Sequence, residues 1–133
     1  MKTPPPVQDE KRRLEVLWQY EVLDTPPEEA FDDFTALAAQ ICAAPIALIS
    51  IVDEKRQWFK SKTGLTASET ARDISFCGHG IHQSGLFIVS DAVRDERFAD
   101  NLCSKLFQAE EMGKWNNFRF TLPVARGWGG VEK

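Results

Sequence analysis

From Glu10 to Leu23, apolar residues fall at Leu14, Leu17, Trp18 and Val22, with charges between them. That spacing predicts an amphipathic helix ending at Asp24. A second start signal follows at once. In Thr25-Pro26-Pro27-Glu28 a hydroxyl sits at a candidate N-cap, with proline at the first helical position and glutamate three residues after the cap. Such a capping box satisfies two orphan amides. Phe31, Phe34, Leu37, Ala38 and Ile41 then recur with helical period and are expected to face a core. Pro45 should end that helix, because the residue before a proline avoids the α region.

Pro45 to Val52 is β-branched and continuously apolar, which fits a strand buried on both faces. Asp53 to Arg56 reads as a polar turn. Gln57 to Lys62 returns as a second strand, with Trp58 and Lys60 on one face and Phe59 and Ser61 on the other. The pair predicts an antiparallel hairpin. Thr63 to Arg72 is a polar connection, after which Asp73 or Ser75 can cap a short helix carrying Ile74, Cys77 and Ile81. Gly78 and Gly80 weaken that helix, each by about 1 kcal/mol relative to alanine. Leu86 to Ser90 reads as a third strand, and Asp91 to Asn101 as a charged turn with a short helix. Further on, Leu102, Leu106, Ala109 and Met112 predict a helix. Phe118 to Val124 alternates like a strand, which Pro123 confines to an edge or a strand end.

Composition sets the class. The 133 residues are 43% hydrophobic and 27% charged, enough apolar area for one α+β domain. A net charge of −4 and a pI near 5.2 offer no broad attraction to nucleic acid or to an anionic membrane. The amino terminus lacks the apolar segment of a secretory signal. Cys42, Cys77 and Cys103 are odd in number and widely spaced, as expected of free thiols in a reducing, cytoplasmic setting.

Several unlinked motifs occur in an order that resembles the bacterial GAF domains found with sensor histidine kinases and diguanylate cyclases. They run from Tyr20-Glu21-Val22-Leu23-Asp24-Thr25-Pro26 through Pro45-Ile46-Ala47-Leu48-Ile49-Ser50 and Gln57-Trp58-Phe59. The series continues with Arg72-Asp73-Ile74-Ser75-Phe76-Cys77-Gly78-His79 and Asp91-Ala92, and closes with Arg97-Phe98-Ala99-Asp100-Asn101. The resemblance covers about residues 10–101. It implies an antiparallel sheet flanked by helices, a ligand pocket between the sheet and the helices on one face, and a regulatory role passed to an output domain through a helix. After residue 101 the family's closing strands are not recognisable, so the sheet is expected to be incomplete. The organisation expected is a flexible segment over 1–9, the first helix over 10–24, a GAF-like core over 25–101 and a divergent segment over 102–133.

The chemistry offered by individual residues is modest. Cys77, His79 and His82 lie within six residues, but on a helix Cys77 and His79 do not share a face. Neither a metal site nor a thiol–imidazole nucleophile pair is therefore expected, and no cofactor is assigned. The candidate ligand-binding residues are Trp58, Ser75, Phe76, Cys77, His79 and Asp91. The preferred function is a sensory module of bacterial signal transduction that binds a small molecule or a protein partner and catalyses nothing by itself. Its expected partners are a histidine kinase or diguanylate cyclase and a second copy held through the first helix. The alternatives are a cysteine-dependent redox enzyme on the same scaffold and a truncated product without function.

Overall fold

The structure, a computed structural model, describes residues 2–100. The helix expected over 102–112, the strand expected over 118–124 and Cys103 lie outside the described residues. Within them the fold is α+β. Three helices, α1 (Glu10–Gln19), α2 (Glu29–Ile41) and α3 (Phe76–Gly80), surround a three-stranded sheet of β1 (Ala47–Val52), β2 (Arg56–Thr63) and β3 (Glu69–Ala71). The sheet is antiparallel, in the order β1-β2-β3.

The expected hairpin forms, with Ala47 opposite Thr63 and Val52 opposite Gln57. Its register shifts between Ile49 and Ser50, leaving Lys60 without an opposite residue in the ladder. Strict alternation of faces ends at such a bulge. Lys60 and Ser61, expected on opposite faces, consequently both reach the α2 side, Ser61 through Asp32 and Thr35. β1 is half-buried along most of its length, with only Val52 buried, so it is not the doubly covered strand its composition suggests. β3 is too short and polar to stand out in sequence; it exists because Glu69, Thr70 and Ala71 pair with Trp58, Gln57 and Arg56.

Both long helices end earlier or start later than their patterns predict. α1 stops at Gln19 because Glu21 enters the left-handed region at φ 49°, and its amide bonds back to the Trp18 carbonyl. α2 begins at Glu29, and Thr25 is not its cap. The Thr25 hydroxyl donates to the Val22 carbonyl and accepts from the Lys60 ammonium, which also reaches the Pro26 carbonyl and the Glu28 carboxylate. A buried lysine thus takes both side-chain oxygens that the capping box would use. At its other end α2 closes on Ala43, φ 47°, with Ala44 N–H on the Ala39 carbonyl and Ala43 N–H on that of Gln40. That is a Schellman closure made two residues before Pro45.

The apolar face of α2 is also turned differently from expectation. Thr35 is buried and Phe31 half-buried, whereas Phe34, Leu37 and Ile41 are exposed. Thr35 sits against the sheet because its hydroxyl bonds Ser61 and Thr63. Leu86 to Ser90 forms no strand, Leu86 alone making an isolated bridge. Phe87 and Val89 nevertheless alternate inward and join Phe76, Ala92 and Phe98 in the main apolar cluster. No helix among the described residues is long and apolar enough to cross a membrane.

Candidate functional site

α3 is five residues long and contains two glycines, so its own propensity is poor. It is held by its cap. The Ser75 hydroxyl accepts the Gly78 amide at 2.9 Å and donates to the Arg72 carbonyl at 2.8 Å, which ties the helix to the 3₁₀ turn Arg72–Ile74 before it. The helix then packs against β1, where the Cys77 sulfur lies 3.1 Å from the Ser50 hydroxyl.

Four of the six candidate residues therefore converge. Ser75, Phe76, Cys77 and His79 are all buried on this one element. Phe76 stacks on Phe98 at 4.1 Å between ring centroids, and His79 meets the same ring edge-on at 5.0 Å. Phe87 adds a third ring to this group. Over them lies the Arg97 guanidinium, 5.0 Å from Phe87 and 5.1 Å from Phe98, itself paired with Asp95. Asp91 begins the adjoining turn, and its carboxylate accepts the Val93 and Arg94 amides. Trp58 is separated from this group. Phe59, opposite Ser50, shares the face that meets Cys77, and alternation turns Trp58 to the other.

The electrostatics follow from burial. Desolvation pushes the Cys77 thiol up, outweighing the Ser50 hydrogen bond, which is the reverse of what a nucleophilic or redox thiol needs. Desolvation also holds His79 below the usual imidazole range, with Arg97 nearby acting in the same direction. The Arg97 guanidinium keeps the Asp95 carboxyl low. Among the described residues no three ligating side chains gather to hold a metal. The Nε2 of His79 meets the Lys2 carbonyl at 2.9 Å, and the Nε2 of His82 is buried with no hydrogen-bond partner among the described residues.

Sequence reasoning passed over Phe87, Phe98 and Arg97 as members of this group, although Arg97-Phe98 stood in plain sight as a motif. It also passed over Lys2. A depression of about 480 Å³ runs along the hairpin turn from Asp53 to Arg56 and beside Glu69 to Ala71. It contains none of the candidate residues. Its principal cation, Arg56, is already bound to Asp24, Asp53 and Glu69.

No model of a known protein family matches the chain. It is similar to an enzyme. Over 101 residues, 76% of this chain, it is 43% identical to the cyclic di-GMP phosphodiesterase PA2567 of Pseudomonas aeruginosa. The chain spans 17% of that protein's length. The expectation of a protein without catalysis is corrected by this likeness, since the similar protein is named for the reaction it catalyses.

Proposed function

We propose that this chain is a GAF-like sensory segment that binds a small ligand beside α3, in a signalling protein acting on cyclic di-GMP. The observation that carries the reading is the convergence of Ser75, Phe76, Cys77 and His79 with Phe98 and Arg97 at the end of the hairpin. A guanidinium paired with Asp95 over aromatic rings, beside an imidazole kept neutral by burial, suits a planar small molecule. Burial of the thiol argues against the redox alternative. The likeness to a phosphodiesterase favours an output in cyclic di-GMP turnover over a histidine kinase. Val16 and Tyr20 remain exposed on and just after α1, which supports self-association through that helix as the way the segment meets a second copy.

The test is a titration of the ¹⁵N-labelled chain with cyclic di-GMP, its linear dinucleotide and a panel of cellular metabolites. Saturable shifts at Gly78, His79 and Phe98 are expected from one of them, lost in Arg97→Ala. Shifts confined to residues 53–56, or none with any compound, would refute the site.

A further inference from the structure

We propose that residues 2–6 form a strap that closes over His79 and gates the α3 site. This rests on the ligand site proposed above and adds its regulation. The proline triplet, expected to lie in a flexible lead-in, instead lies across α3. The Lys2 carbonyl meets His79 Nε2 at 2.9 Å, its amide donates to the Arg97 carbonyl at 3.4 Å, and its ammonium pairs with Glu96 at 2.6 Å. Three contacts from one residue thus join α3 to the 91–98 turn, the two walls of the aromatic group.

Gly78 makes the approach possible. A Cβ there would come within 2.9 Å of Pro4 Cγ, so a side chain at position 78 would push the strap away. Pro4 is half-buried while Lys2, Thr3, Pro5 and Pro6 are exposed. The strap therefore covers the helix without being covered itself. Such a segment opens at low free-energy cost, because its ion pair is solvated on both sides and its backbone makes few bonds. Closed, it occupies the hydrogen-bonding nitrogen of His79. Open, it frees that nitrogen for a ligand.

Acylation of histidine by diethylpyrocarbonate reads this in the full chain, because the Lys2 carbonyl accepts the Nε2–H of His79 and so fixes the tautomer and position of the ring, and an open strap frees both ring nitrogens to the reagent. Only two histidines are present, so His82 serves as the internal reference in peptide mass spectra. Lys2→Glu should raise the His79 rate roughly two- to fivefold, the range expected for loss of one solvated ion pair, and leave His82 unchanged. The charge-swapped pair Lys2→Glu with Glu96→Lys should restore the slow rate. Equal His79 rates in all three proteins would overturn the strap. So would parallel acceleration at both histidines, which signals general loosening. The ligand site fails separately: a strap that opens as described, with no metabolite binding gained in Lys2→Glu, would refute the site and leave the strap standing.

Discussion

Glu10 offers the sharpest test of what holds α1 in place. Its carboxylate takes both arms of the Arg13 guanidinium and also the Arg72 guanidinium, which reaches on to the carbonyls of Asp53 and Glu54. The Arg13 hydrogen bonds, with help from Arg72, lower the Glu10 carboxyl from its ordinary 4.5 to about 2. Fully realised, that shift corresponds to about 3 kcal/mol of preference for the charged form in the folded state. The side chains of Glu10, Arg13 and Arg72 keep 24%, 27% and 12% of their surface exposed, and solvent screening reduces the gain to about 1 kcal/mol. Glu10→Gln, which keeps the shape and removes the charge, should cost that amount in urea unfolding at neutral pH. The sign of the pH dependence is fixed. A carboxyl lowered by folding stabilises fully above its unfolded value and loses that contribution as pH falls from 4.5 toward 2. The gap between wild type and Glu10→Gln must therefore narrow on acidification to about pH 3.5, where the unfolded chain is already protonated. A gap absent at pH 7, or one that stays constant down to acid, would refute the reasoning.

Three further outcomes follow from the same structure. Ser75→Ala removes the cap of a helix with little propensity of its own and should cost about 1 kcal/mol, with loss of amide-exchange protection at Gly78; unaltered protection there would count against the cap. Lys60→Met strips the acceptors of Thr25, Pro26 and Glu28 of their shared donor and should cost about 1–3 kcal/mol in denaturant midpoint; a neutral result would mean that the segment is held otherwise. Gly64→Ala should lose roughly 2 kcal/mol or more, because φ is +76° and a Cβ would overlap the Pro45 carbonyl oxygen; a midpoint within error of wild type would rule out that conformation.

The sequence was most informative where local chemistry decides alone. Ile46 to Val52 and Gln57 to Lys62 flank a short polar turn, and nothing distant competes with their pairing. Ser75 caps α3 because the carbonyl and the amide that its hydroxyl bonds each lie three residues from it. Thr25 carried an equally good local signal and was misread, because Lys60, 35 positions along the chain, binds the same hydroxyl in preference to the orphan amides. Phe34, Leu37 and Ile41 show another limit. Periodicity identifies a face of a helix, but which face meets the sheet was decided by the hydroxyls of Thr35, Ser61 and Thr63. Leu86 to Ser90 was read as a strand and is not one, yet Phe87 and Val89 are both buried, since inward alternation requires an extended backbone and not a hydrogen-bonded neighbour.

The candidate site was half legible for a related reason. Ser75 to His79 are contiguous, so a single motif exposed them, and Phe98 joined them only through the path of the chain. Their consequence for the rest of the fold lies in Arg72. Its carbonyl accepts from Ser75, the cap of α3, while its guanidinium holds Glu10 and the carbonyls of the hairpin turn. Trp18, further along α1, donates to Asp53 in that same turn, and Arg13 donates to the Val52 carbonyl just before it. A displacement of α3 large enough to move the Arg72 backbone must therefore strain or break its bonds to Glu10, Asp53 and Glu54, since the single Nη1 makes all three and reaches them together only from one position. The first helix is thereby joined to the α3 element by direct bonds, through Glu10 and Arg13. Val16 and, just beyond the helix, Tyr20 are exposed and take no part in that linkage.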